Sequence, residues 1–268
     1  MEDLLIREKF FYAMQEAGMY DETIEFVVPC YRQMHGIILR LVKDQHSRES
    51  ASLVLDVGYG TGADSIPLLQ MIPKMKLVGV DLCQPMQDVF RGKATSAGIG
   101  PERYALMTGD VLEPDTIETI KQVATETFKQ GAFDTIISAF TIHHFGTEQK
   151  KAIFQLMFDL LKPGGVFILG DLFNCDGESD EMTETILNWE IDWIGSSFRE
   201  DSQKAKNVGN TERAAKLEEL RDKWISHYVS DNKLDSVTTH FQMLEEIGYS
   251  EVANPFRHYQ VGIVWAKK

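Results

Sequence analysis

Cysteine is scarce in this chain of 268 residues: the three present, Cys30, Cys83 and Cys175, stand far apart. An odd, widely spaced set offers neither a disulfide framework nor a zinc-ligand spacing, and it suits a reducing compartment. Long apolar runs are also missing. Those around residues 135–142 and 166–169 fall well short of the roughly 20 residues that span a bilayer, so no membrane is expected. Positive charge is in deficit, with 27 Lys and Arg against 41 Asp and Glu and a formal net charge of −14. A phosphate backbone is held by a basic surface, which excludes nonspecific nucleic-acid binding. The start, Met1-Glu2-Asp3, mixes acids into the stretch a signal peptide keeps basic and then apolar, so the cytoplasm is the expected location. No stretch is rich enough in Pro, Ser or Gly to be a flexible linker, and no fixed-period repeat occurs. Hydrophobic residues make up 43% and charged ones 25%, ordinary globular usage that leaves room for one cored domain with an insertion.

What is present is an alternation. Near-continuous apolar runs at residues 53–57, 77–80, 104–107, 133–137 and 166–169 are each followed by a helical pattern. This predicts βαβ units, a mostly parallel sheet covered on both faces, and ligands at the carboxyl ends of its strands. Residues 1–48 read as an N-terminal helical lid of two amphipathic helices, the second carrying Ile24, Val27, Val28, Tyr31, Ile37, Ile38 and Leu41. Residues 49–268 read as the main domain, with a helical, acid-rich insertion at 176–228 whose apolar set Ile186, Trp189, Trp193, Ile194 and Phe198 packs on something. The C-terminal segment predicts a helix over residues 237–247 and two strands around a turn at Asn254-Pro255, a closing β-hairpin.

Asp56-Val57-Gly58-Tyr59-Gly60-Thr61-Gly62 is a strand running into a glycine turn. Glycines serve where a backbone turns tightly or a ligand approaches main chain. Gly58, Gly60 and Ala63 also satisfy the spacing of a dinucleotide fingerprint, so an NAD enzyme has to be weighed. Three carboxylates decide. Asp56, just before the turn, would oppose a pyrophosphate and favour a cationic ligand. Asp81 ends the second strand, where a carboxylate accepts ribose hydroxyls in either cofactor class. Asp110 follows the third strand, where it accepts from an adenine amino group while Val111 covers the ring. Each also has a plain reading as a helix cap, but three caps coinciding is a poorer account.

Together with Gly79-Val80-Asp81, Gly109-Asp110-Val111, the strand Phe133-Asp134-Thr135-Ile136-Ile137-Ser138 and Leu160-Leu161-Lys162-Pro163-Gly164-Gly165, the glycine turn resembles class I methyltransferases that use S-adenosylmethionine (SAM). The resemblance implies a Rossmann-like α/β fold, a seven-stranded sheet with the last strand antiparallel. It implies that Gly58, Gly60 and Gly62 border the methionine part of SAM, Asp81 the ribose, and Asp110 with Val111 the adenine. Leu82, next to Asp81, and Ala139, at the end of the fourth strand, join this cofactor set. Tyr59 replaces the small residue usual at its position. The flanks, Val27-Val28-Pro29-Cys30-Tyr31 and Asp235-Ser236-Val237-Thr238-Thr239-His240, look like those of carboxy-SAM synthase and its relatives. That likeness places Tyr31 near the cofactor. Where those relatives use an arginine to hold the extra carboxylate, this chain has Lys233 followed by Leu234.

Methyl transfer is a displacement that an enzyme assists by aligning the reactants and excluding water. A base helps when the acceptor must lose a proton, and His143 and His144 follow the fourth strand, where cofactor and acceptor should meet. Paired histidines there can equally well just bond the backbone. Ile142-His143-His144-Phe145 with Glu148 resembles the loop of the catalytic histidine in plant-type O-methyltransferases, which favours His143. Asp171, Asn174 and His143 as metal ligands are considered and not adopted. Tyr12, Tyr20, Tyr31 and Trp189 are candidates for an aromatic pocket or a sulfonium contact, and Arg257 and His258 for an anionic substrate. The expectation is a methyltransferase acting on an O or N atom of a small molecule, with a homodimer compatible with the chain. The alternatives are a carboxy-SAM-type transferase and a SAM-binding protein without catalysis.

Overall fold

The computed structural model describes residues 20–46, 51–174, 180–230 and 232–268. Tyr12, the first lid helix and Cys175 lie outside the described residues. The sheet has seven strands: β1 (Leu53–Val57), β2 (Lys76–Asp81), β3 (Tyr104–Thr108), β4 (Phe133–Ala139), β5 (Leu161–Leu172), β6 (Glu251–His258) and β7 (Val261–Lys267). Their order is β3-β2-β1-β4-β5-β7-β6. β1 to β5 pair in parallel, and β7 runs antiparallel to both its neighbours. This is the predicted seven-stranded, Rossmann-like arrangement.

The helices follow from the same patterning. They are α1 (Tyr20–Val27), α2 (Tyr31–Gln45), α3 (Ser65–Met71), α4 (Gln84–Ser96), α5 (Pro114–Gln122), α6 (Thr147–Leu160), α7 (Asp180–Asn207), α8 (Thr211–Ser230) and α9 (Val237–Ile247). Every residue of β1 is buried, because side chains alternate across a sheet covered on both sides. Val54, Leu77, Ile137 and Ile168 pack on one face with Met34, Ile38 and Val42 of α2. Leu55, Val78, Ile136 and Phe167 pack on the other with Phe154 and Met157 of α6. Each strand thus delivers its last residues, and the loop beyond, to one edge of the sheet. The crevice opens there between β1 and β4, where the strand order reverses.

Two expectations change. The stretch read as one lid helix is two, broken at Val28-Pro29-Cys30, with Cys30 in a left-handed conformation at φ +59°. Proline has no N–H to donate and disfavours helical geometry in the residue before it. The C-terminal hairpin is present, but its chain reversal lies at Tyr259 and Gln260. Asn254-Pro255 forms a bulge inside β6, where pairing shifts from Ala253 with Trp265 to Phe256 with Ile263. β6 is an edge strand, the place where a sheet tolerates proline, and the Asn254 side chain donates to the Ile263 carbonyl at 2.6 Å.

The insertion leaves and rejoins the sheet at one point. The Asn174 N–H donates to the Asp235 carbonyl at 3.0 Å, and Asn174 bridges to Ser236. Between them α7 and α8 form a hairpin through Gly209, at φ +75°. Ile194 and Phe198 of α7, Leu217, Leu220 and Trp224 of α8, and Ile24 and Val27 of α1 bury together. No helix among the described residues is long and apolar enough to cross a membrane.

Candidate active site

The glycine turn opens the crevice. The Gly58 N–H donates to the Val80 carbonyl at 2.7 Å, and the residue adopts φ +78°. A Cβ there would fall 1.9 Å from Thr141 Oγ1, so only glycine lets the loop after β4 pass this close. Gly62, at φ +87°, does a different job: its Cβ would meet Ile66 at 2.7 Å and Phe90 at 2.8 Å, so it seats the turn against α3 and α4.

A cavity of about 200 Å³ lies beyond the strand ends, bordered by Gly58, Gly60, Asp81, Leu82, Asp110, Val111 and Ala139. Seven of the predicted cofactor residues therefore converge. Asp81 is fixed by main chain: its carboxylate accepts from Gly60 N–H and Cys83 N–H, both at 2.8 Å. Burial raises its pKa above the ordinary carboxylate range, and the backbone donors Cys83, Gly60 and Leu82 oppose that rise. Asp110 accepts from Leu112 N–H at 2.9 Å. Asp56 does not border the cavity. It is buried, accepts from the Ser65 hydroxyl, and burial pushes its pKa from 3.8 up to about 8. Held mostly protonated below that value and away from the cavity, it does not supply the negative charge toward a cationic ligand that its place in the sequence predicts.

Tyr31 and His143 also lie off this cavity. Tyr31 stacks on Phe140 with ring centroids 5.8 Å apart and planes at 13°. His143 is buried beside a second, smaller cavity of about 40 Å³. Its N–H donates to Asp171 Oδ2 at 2.9 Å, and its Nδ1 is bonded to the other oxygen of the same carboxylate. Asp171 is 1% exposed. Two bonds to one carboxylate, from the backbone and from the ring, fix the orientation of the imidazole, the arrangement in which a carboxylate positions a histidine for proton transfer. Asn174 does not join this pair, since its side chain donates to the Leu234 carbonyl at 3.0 Å.

The smaller cavity is roofed by Ile24, Val27 and Val28 from the lid and walled by Trp224, His227 and Tyr228 of α8. Tyr20, Phe140 and His144 border both cavities, so the two compartments adjoin. α1 is pinned over them: Asp21 accepts from Thr61 Oγ1 at 2.6 Å and pairs with Lys93 at 2.6 Å, while Glu22 pairs with Arg213 at 2.9 Å. Among the described residues bordering either cavity there is no Lys or Arg. Lys233 uses its backbone N–H to bond the His143 carbonyl at 2.8 Å, and Arg257 donates to the carbonyls of Phe173 and Asn174 at 3.1 and 3.0 Å. Trp189 is exposed and packs edge-on against Tyr259. The residues that sequence reasoning missed are Phe140, at the junction of the compartments, and Asp171 in its pairing with His143. Asp171 had a signal, being a carboxylate at the carboxyl end of a parallel strand like Asp81.

Residues 54–165 match the family described as a methyltransferase domain. The carboxy-S-adenosyl-L-methionine synthase of Helicobacter hepaticus is 23% identical over 268 residues, covering 98% of this chain and 96% of its own length. That of Nautilia profundicola is 21% identical over 252 residues, covering 94% and 92%. Among solved structures, magnesium protoporphyrin IX methyltransferase from Synechocystis PCC 6803 with bound SAM superposes with a TM-score of 0.60 at 15% identity, over 100% of this chain and 98% of that one. The matched segment carries the glycine turn and all three strand-end carboxylates, Asp56, Asp81 and Asp110, and it is over residues 54–165 that the chain is similar to a methyltransferase domain, on a fold shared with a SAM-bound methyltransferase.

Proposed function

We propose that this protein transfers the methyl group of SAM to an oxygen or nitrogen atom of a small molecule whose reacting end reaches toward the smaller cavity, beneath α1. The observation that carries the reading is the buried His143–Asp171 pair, set beside a compartment that adjoins the carboxylate-lined cavity. SAM supplies an electrophilic methyl group on a sulfonium, and it carries no phosphate. The larger cavity fits such a ligand: Asp81 and Asp110 border it, and no cationic side chain among the described residues does. Asp81 would accept the ribose hydroxyls, Asp110 the adenine amino group with Val111 and Leu82 against the rings, and Gly58 and Gly60 would flank the methionine part, near Ala139. Gly62, Asp56 and Tyr31 support this wall from behind.

His143 Nε2 would take the proton that the acceptor loses, while Asp171 holds the ring and stabilises its positive charge. The lid side chains Ile24, Val27 and Val28 exclude water from the acceptor.

A second reading has one observation in its favour: relatives named carboxy-SAM synthase match nearly the whole chain. The carboxylated product of such an enzyme needs a cationic partner, and Lys233, nearest to the expected position, borders neither cavity. Mass spectrometry of small molecules released from the purified protein, with calorimetric titration by SAM, its demethylated product and NAD, tests both. Binding of SAM and product without NAD is expected. A retained species heavier by a carboxyl group would transfer support to the second reading, and failure to bind SAM or product would overturn both.

A further inference from the structure

Tyr20, Phe140 and His144 stand at the junction of the two cavities, bordering both. Phe140 stands out by its backbone. It adopts φ +50°, a left-handed conformation that a bulky residue seldom takes and that surrounding structure must enforce. Three contacts enforce it here. The Phe140 N–H donates to the Gly170 carbonyl at 2.9 Å. Its ring stacks on Tyr31, and His35 lies 5.9 Å away. His35 is held in turn by Asp64, at 2.8 Å from Nδ1, with both side chains buried. Also at the junction, the Tyr20 ring rests against Trp224 at 6.2 Å. A ring needed only to fill space could do so from an ordinary backbone conformation. The left-handed backbone thus holds an aromatic residue at the junction of the two compartments.

The carboxylates bordering the larger cavity, Asp81 and Asp110, stand at the ends of β2 and β3. Phe140 follows β4, on the side where the smaller cavity begins. The electron-rich groups on that side are the aromatic faces, and such faces attract cations. We propose that Phe140 and Tyr20 form an aromatic window that recognises the positive charge of the sulfonium, so that the window discriminates between charged SAM and the neutral thioether product. The inference rests on the SAM-dependent reading above. Once the methyl group has left and its bonding electron pair has stayed on sulfur, the charge and the attraction vanish together, and the window ceases to hold the product.

The test is calorimetric titration of the whole protein and its Phe140→Leu, Phe140→Tyr and Tyr20→Leu variants with SAM and with S-adenosylhomocysteine. Leucine keeps bulk without a π face. Phe140→Leu should weaken SAM binding roughly two- to thirty-fold and leave the homocysteine ligand within about two-fold, while Phe140→Tyr retains the wild-type ratio. Tyr20→Leu should shift the ratio in the same direction, and it decides the matter if Phe140→Leu does not fold. Equal weakening of both ligands, or unchanged SAM affinity, would overturn the window. A wild-type protein that binds neither ligand would instead overturn the cofactor reading on which the window rests.

Discussion

The two halves of the site are held by different forces. In the sheet-borne half, Asp81 is gripped by the backbone N–H groups of Gly60 and Cys83, and the turn itself is closed by Gly58 on Val80. Main-chain bonds of this kind exist wherever the fold exists. In the helix-borne half, α1 is fastened by the half-exposed pairs of Asp21 with Lys93 and Glu22 with Arg213, over a patch of apolar side chains shared with α7 and α8. Exposed pairs contribute little each and weaken with salt, so the roof of the smaller cavity rests mainly on Ile24, Val27 and Val28. The difference teaches that the carboxylate-lined cavity is held by the main chain of the sheet, whereas the smaller cavity is closed by side-chain packing of α1 and α8.

Removing His143, the proposed base, should show the largest effect. His143→Ala is expected to lower turnover by about 10²- to 10⁴-fold with SAM affinity unchanged within error, measured by steady-state kinetics and calorimetry. An equal loss of both would assign His143 to the cofactor half. Next in size, Asp81→Ala removes a charged acceptor and should cost roughly 1.5–3 kcal/mol of SAM affinity; unchanged affinity would remove Asp81 from the ligand's surroundings.

A pH series sharpens the contrast within the core. The pKa of Asp56 is raised from 3.8 to about 8 by burial, so the folded state keeps a proton that the unfolded chain releases. Stability should therefore fall as pH rises from about 4 to about 8, and Asp56→Asn should remove this component. Urea midpoints at pH 5 and pH 8 check it: the wild type should lose more than the variant, and equal losses would mean that the folded carboxyl is ionised. The smallest effect belongs to the fastening of the lid. Asp21→Asn should cost at most about 1 kcal/mol of global stability, and added salt should shrink the difference from wild type; a larger, salt-insensitive loss would show that α1 is integral to the core.

The legibility of the chain divides along the same line. Residues 53–57 were readable as a strand because a sheet covered on both faces demands an unbroken apolar run, and β1 occupies those residues. Gly58, Gly60, Asp81, Asp110 and Val111 were readable because each lies within a few residues of a strand end, where chain order and spatial order coincide. The smaller cavity follows no such local rule. Tyr20, Phe140 and Trp224 meet only after three separate segments pack, and their spacing in the chain says nothing of it. The pairing of His143 with Asp171 spans 28 positions and depends on two strand ends lying side by side. The hairpin turn misplaced at Asn254-Pro255 has a different cause, since those residues favour turns in general and only membership of an edge strand makes them a bulge.

The closed stem at Asn174, Asp235 and Ser236 carries a corollary for the insertion. An excursion whose two ends are clasped together can grow, shrink or be exchanged while the strands on either side keep their places, because the entropy of closing a loop changes only slowly with its length. α7 and α8 can thus change in length or sequence while the strands that carry Asp81 and Asp110 keep their places.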